Sequence, residues 1–405
     1  MNNWYENWKK ERPILGLTAG VGGGGVGNFN QAGGYPAEEA PSSAPFTCTG
    51  GTINTAPVDG VQYKFHKFFN TGSATFTVQG PYGAPGLTNP PAGGYFDIFM
   101  VGGGGGGAVL GGGGGGGAVT MYRFPGGMKP GSYTVYVGDG ANGYVGWEHS
   151  GASDGEPSYF QHTTSQPGPT GRIEAIGGGT GLSYSFSGSP SNPTLNQGVS
   201  NGGGKSSPAP ASNNFWTHQA PSPSVTVPIG GVSMPITREG NFSNYSGGTA
   251  SPGCCPCRGG GGGGGYEPGY SSGGGSGHRG GGNGGAGRQF NFDGNNYFWA
   301  AGGGSDSYCN TTSQPDISNY RCNGGQGGGG GAASDEAHPS SFCLGGTGGI
   351  NNGSPAGTGN SNPRPGGNGG ANTGSGGGAG SSGNGNPNIS GGKGGSGVIM
   401  IRYRV

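Results

Sequence analysis

Pure glycine runs constrain this chain more than any other feature. Gly102–Gly107, Gly111–Gly117 and Gly259–Gly265 are unbroken, and shorter tracts recur at Gly177–Gly179, Gly202–Gly204, Gly280–Gly285 (interrupted by Asn283), Gly302–Gly304, Gly327–Gly331 and Gly376–Gly378. Glycine loses more backbone entropy on ordering than any other residue, and it has no side chain to bury. If such tracts fold, backbone hydrogen bonds must offset that loss. The extended threefold polyproline-II helix makes no hydrogen bonds of its own. In glycine it keeps its N–H and carries no Cβ, so rods can pack side by side and satisfy one another's polar groups. Each such bond contributes only about 1 kcal/mol net, so many rods are needed, and this sequence has many. A seven-glycine rod spans about 22 Å. Flexible linkers usually mix Gly with Ser; here pure runs are bracketed by strand-like segments. The tracts therefore read as the folded framework, with Ala108, Val109, Leu110, Ala118 and Val119 at tract ends capping a small core.

Composition supports a structural role over an enzymatic one. The 405 residues include 109 Gly and 31 Pro, and only 29% are hydrophobic. That is too little apolar material for an ordinary core at this size. Disordered chains combine high net charge with few aromatics, whereas here 18 basic residues balance 18 acidic ones and aromatics reach 10%. Glycine does not recur strictly every third residue, which excludes collagen. Zero net charge gives no electrostatic footprint for nucleic acid. No apolar run of about twenty residues marks a membrane span. No secretory h-region follows Lys9, Lys10 and Arg12.

The chain divides into four parts. Residues 1–27 read as an anchor peptide that docks on another protein, through Trp4, Tyr5, Trp8, Lys9, Lys10, Arg12, Ile14 and Leu15; an arm packed on its own chain is the alternative. Residues 28–60 read as a Gly/Pro/Ser connector. Residues 61–137 read as a β-rich region holding the first glycine tracts. Val61–Phe69 and Ala74–Val78 are β-branched and aromatic on either side of Asn-Thr-Gly-Ser, which predicts a hairpin. Tyr95–Val101, Ala118–Tyr122 and Tyr133–Val137 read as further strands. Residues 138–405 read as a polyglycine-II bundle with surface loops, closed by strand 397–405. The expected class is mainly β and irregular, a polyglycine-II helix bundle framed by short strands, and no segment has the apolar period of an α-helix.

The order of these elements carries a family resemblance. Tyr-Phe-Asp-Ile-Phe-Met-Val leads into Gly-rich, Ala-Val, Gly-rich runs. Pro-Gly-Ser-Tyr-Thr-Val-Tyr-Val-Gly follows, and Gly-Gly-Ser-Gly-Val-Ile-Met-Ile-Arg-Tyr closes the chain. Over about residues 61–405 this resembles the glycine-rich domain of bacteriophage virion proteins, including tail fibres, and it is similar in style to the polyglycine-II sandwich of tail-tip adhesins of T-even-type phages. The resemblance implies a location on the virion, extracellular once released. It also implies host recognition by loops at the bundle tip and homo-oligomeric assembly, with a trimer favoured. Other virion proteins would be bound through residues 1–27, and a host surface glycan or protein by the loops. A capsid or tail decoration protein with no receptor of its own is the nearest alternative. A third is a self-assembling extracellular filament subunit using strand 397–405 or the N-terminal arm as donor. Ice binding would call for flat Thr or Ala arrays, which are not evident.

Candidate receptor loops carry aromatics: Phe215, Trp216, Tyr245, Tyr266, Tyr270, Tyr297, Phe298 and Trp299. Rigid rings with a polar handle suit carbohydrate or protein contact; folding back over a poor core is the competing reading. Seven cysteines, an odd number, argue against a complete disulfide framework, and thiols are the default without a secretory leader. Cys254, Cys255, Cys257, Cys309, Cys322 and Cys343 are the candidates for a disulfide formed after release. Their spacing is not that of a zinc ribbon, so no metal or cofactor is expected. Gly-x-Gly-x-x-Gly matches arise by chance at this glycine content. Gly202-Gly-Gly-Lys205-Ser206 lacks the first glycine of a phosphate loop, since residue 199 is Val199. The groups around His149 and His338 sit in polar loops without a predicted pocket.

Overall fold

The computed structural model describes residues 47–80, 95–124, 127–146, 154–162, 172–181, 261–270, 281–306, 322–333, 343–357, 364–381 and 389–405, together with the backbone of 224–229 and 232–238. Residues 1–46 lie outside the described part.

Apolar alternation builds two facing sheets. The five-stranded sheet runs β1 (Thr47–Thr49), β4 (Gly72–Gln79), β7 (Gly131–Val137), β8 (Ser158–His162), β9 (Arg172–Ala175). The seven-stranded sheet runs β10 (Ser224–Ile229), β11 (Val232–Arg238), β6 (Val119–Phe124), β5 (Phe96–Val101), β14 (Val398–Arg404), β3 (Val61–Phe68), β2 (Thr52–Val58). All adjacent strands within the two sheets pair antiparallel. Phe76, Tyr133, Val135 and Phe160 from the first sheet meet Phe96, Ile98, Met100 and Ile401 from the second. The opposite face of the seven-stranded sheet buries Phe65, Phe99, Val119 and Met400 under the hairpin of β12 (Arg288–Asn291) and β13 (Asn296–Trp299). β5 is therefore buried on both faces along its whole length, which is why its sequence is almost continuously apolar.

The strands do not stop where the glycine begins. β5 runs straight into tract 102–107, β7 into 138–143 and β9 into 176–181, while 111–118 feeds β6 and 389–397 feeds β14. Neighbouring chains in a sheet already lie about 4.8 Å apart. Without side chains the same chains close into a hexagonal bundle.

Tract 374–381 shows the rule. Its N–H groups donate in a repeat of three: Gly376 and Ala379 to Ala301 and Gly304, Gly377 and Gly380 to Gly105 and Ala108, Gly378 and Ser381 to Gly367 and Arg364. Its carbonyls accept in the same repeat, Gly374 and Gly377 from Gly117 and Gly114, Ser375 and Gly378 from Gly395 and Gly392, Gly376 and Ala379 from Gly330 and Ala333. These bonds measure 2.7–3.0 Å. The tract thus has six neighbours, as a threefold helix with both backbone groups engaged must have. Tract 102–108 repeats the pattern: Gly102 and Gly105 donate to Ala118 and Gly115, Gly104 and Gly107 to Gly395 and Gly392, and Gly103 to Glu156. No helix is found among the described residues.

Three expectations about the strands are corrected. Residues 47–58, read as connector, form β1 and β2. β3 and β4 are strands but not a hairpin: β3 pairs with β2 and β14, β4 with β1 and β7. The short link between them steps from one sheet to the other: β3 is buried on both faces, by Tyr63 and Phe65 on one and His66 and Phe68 on the other, whereas β4 is buried on one face only, by Phe76 and Val78. Strand 397–405 is no free donor; β14 lies between β5 and β3 with both edges paired.

Candidate interaction surface

The ends of the tracts differ. Where tracts are not continued by strands the chain turns back at the sheet end within described residues, for instance around 325–329, 346–353 and 370–374; beyond the strands it leaves the described part at 81–94, 125–126 and 163–171. At the far end it leaves the described part after residues 146, 181, 270, 306, 333, 357 and 381, and re-enters at 154, 261, 281, 322, 343, 364 and 389. Cross-tract bonds place these termini at one level: Gly146 N–H donates to Ile389 O, Ser381 to Arg364 O, Ala333 to Ala379 O, Ala332 to Cys322 O, and Asp306 to Gly111 O. Two small apolar clusters seal this end, Ala108, Val109, Leu110, Tyr144 and Ile389 in one and Cys322, Ala332, Cys343 and Ala379 in the other.

Cys322 and Cys343 are joined by a disulfide, with Cα atoms 5.1 Å apart. The default of free thiols is corrected at this pair. Both cysteines begin tracts held side by side by the bond from Gly324 N–H to Leu344 O, so the backbone alone brings the sulfurs together. Cys48 is free and buried, its thiol pushed up to about 12 chiefly by burial. Cys254, Cys255, Cys257 and Cys309 lie outside the described residues.

The aromatic candidates separate. Tyr266 and Tyr270 are exposed, 55% and 44%, on a short rod laid over the bundle by bonds from Tyr266 N–H to Ala286 O and Tyr270 N–H to Asn283 O. Tyr297 and Phe298 are half-buried. Trp299 is corrected from a surface candidate to a core residue: it is 1% exposed, edge-on to Phe99 at 5.1 Å, with Nε1 donating to Phe290 O. Period-two alternation turns it inward under the seven-stranded sheet. Phe215, Trp216 and Tyr245 lie outside the described residues, as do Trp4, Tyr5, Trp8, Lys9, Lys10, Arg12, Ile14 and Leu15.

Two polar devices escaped the sequence reading. In the first, the fully buried Asp97 on β5 stands in register between Arg123 on β6 and Arg402 on β14. Arg123 Nε donates to it at 2.8 Å and Arg402 Nε at 3.1 Å, and Arg402 also donates to Phe292 O. The two guanidiniums lie over Tyr95, Tyr63 and Phe292. Burial and the hydroxyl of Tyr95 push the Tyr63 phenol up to about 12. The arrangement locks the C-terminal strand in register, and the carboxylate is fully engaged by that task. An acidic residue inside an apolar strand was its only sequence signal. In the second device, Asn side chains bond the backbone of the next tract: Asn283 Oδ1 accepts from Asn323 N–H, Asn323 Oδ1 from Leu344 N–H, and Asn368 Oδ1 from Lys393 N–H. The signal was Asn-Gly-Gly within the tracts. Among the described residues no three His, Cys, Asp or Glu side chains gather as metal ligands.

A mainly β framework carrying glycine rods defines a glycine-rich β protein. The model of the glycine-rich domain matches residues 77–404, and the chain belongs to that family. No curated protein and no solved structure matches it.

Proposed function

We propose that this chain is a non-enzymatic structural protein of a bacteriophage particle, of the tail-fibre or adhesin type, which holds loops at one end of a rigid bundle for contact with a host surface glycan or protein. The observation that carries the reading is that seven of the chain's departures from the described residues, including those after 181, 306 and 333, fall at the tract ends away from the sheets, while those after 80, 124 and 162 fall at the strand ends. Glycine has no side chain with which to recognise a partner, so specificity falls to these connections and to exposed residues such as Tyr266 and Tyr270. Residues 1–27 serve as attachment to other virion proteins. The Cys322–Cys343 disulfide supports a final location outside the reducing cytoplasm.

The test is binding of the intact fluorescent-labelled chain to host cells. A fragment starting at residue 61 would be unsuitable, since it lacks β1 and β2. Saturable cell binding, weakened when 307–321 and 334–342 are replaced by short Gly-Ser links in a chain that still melts normally, is the expected outcome. Incorporation into particles without any cell binding would refute the adhesin and leave a decoration protein.

A further inference from the structure

Among the described residues the outer edge of β2 has no partner strand. An edge strand presents unpaired N–H and C=O groups to any passing strand, and proteins ordinarily blunt such edges by shortness, charge or proline. The other edges of the two large sheets show these protections. β1 has three residues. β9 carries Arg172 and Glu174, paired at 2.6 Å. β10 has Pro228 inside it. β2 has one such protection, Pro57 near its end, but at seven residues, Thr-Ile-Asn-Thr-Ala-Pro-Val, it is the longest of the four edges, carries no charge, and exposes five of its residues. Its inner edge pairs with β3 from Thr52 to Val58, and among the described residues nothing pairs with its outer edge.

Pro57 indicates which groups face outward. A proline is tolerated in an edge strand where its missing N–H would point away from the sheet. The alternate positions Ile53 and Thr55 then carry the outward N–H and C=O groups.

We propose that β2 is a self-association edge, pairing antiparallel with β2 of a second copy of this chain about a twofold axis at Thr55. In that register Thr55 N–H and C=O bond reciprocally to Thr55 of the other copy. Ile53 N–H donates to the carbonyl of the other copy's Pro57, Asn54 stands opposite Ala56, and Thr52 opposite Val58. The pairing is isologous and closes at two. Identical strands suit it because β2 carries no charge to repel itself, and the whole chain has 18 basic and 18 acidic residues, so two copies approach without net repulsion. Ile53, 45% exposed in the single chain, is covered. One edge pairing is a small contact, which places the association in the concentration-dependent range.

Sedimentation velocity of the intact chain across a concentration series tests this. The expected result is a reversible monomer–dimer equilibrium whose dissociation constant rises at least tenfold in Thr55→Pro, which removes the central N–H, and in Ile53→Lys, which adds a charge to the edge. Both positions are exposed, and an unchanged melting temperature in each variant separates lost pairing from lost folding. A chain that stays monomeric throughout, a trimer, or a dimer indifferent to both substitutions would overturn the proposal.

Discussion

A Cβ placed on Gly377 would stand 2.1 Å from the carbonyl oxygen of Gly392. That oxygen belongs to a neighbouring tract, so it cannot move aside without breaking the bundle's hydrogen bonds. Gly377→Ala is therefore expected to destabilise the protein by about 3 kcal/mol, the upper range for overpacking. Asn142→Ala, at an exposed position of tract 138–143, is expected to change stability by less than about 0.5 kcal/mol. Denaturant unfolding of both variants checks the contrast.

Asp97 is fully buried between two arginines. Asp97→Ala leaves Arg402, almost wholly buried, without its carboxylate, and removing one partner from a buried ion pair costs about 3–5 kcal/mol. The variant is expected to lose that much by denaturant unfolding. β14 amides are expected to exchange faster, because the register lock lies on that strand.

The disulfide closes a separation of 21 residues. Chain entropy predicts a contribution of about 3 kcal/mol for a loop of this size. Replacing Cys322 and Cys343 together by Ala is expected to lower the melting temperature. A reductant is expected to do the same to the parent chain and to have no effect on the double variant.

His66 is fully buried, with Nδ1 donating to Gly50 O at 2.7 Å and its ring against Phe76 and Tyr403. Burial lowers its pKa from 6.5, and Lys64 adds to the lowering. The native state therefore holds the neutral ring. The unfolded chain takes up a proton below about pH 6.5, so the contribution of His66 is fully present above that pH and is lost as pH falls towards the depressed native value. Stability measured from pH 7.5 to 4.5 is expected to fall less steeply in His66→Gln. His162, also lowered by burial, accounts for part of the remaining slope.

Strands with two buried faces were legible in the sequence. Phe96–Val101 and Val398–Arg404 are apolar almost throughout because each lies inside the seven-stranded sheet. β2 was not legible, since an exposed edge of Thr, Asn and Pro has the composition of a connector. The pairing of β3 with β14 across more than 300 residues was hidden behind a plausible local hairpin. Trp299 was misread because aromatic clusters look alike whether displayed or buried, and only the pairing of β12 with β13 decides the face. The glycine tracts announced their framework role but not their neighbours. A tract without side chains encodes no register, so which rod meets which is set by the strands it continues and by the bridging residues Asn283, Asn323 and Asn368.

Amide hydrogen exchange across Gly376–Gly380 tests the framework most directly. These five N–H groups donate to tracts 300–306, 102–108 and 364–370 and are expected to exchange as slowly as the amides of β14, in one cooperative unit with them. Exchange of these amides at the rate of an unstructured chain, while β14 stays protected, would show that the tracts are linkers between strands and would contradict the account.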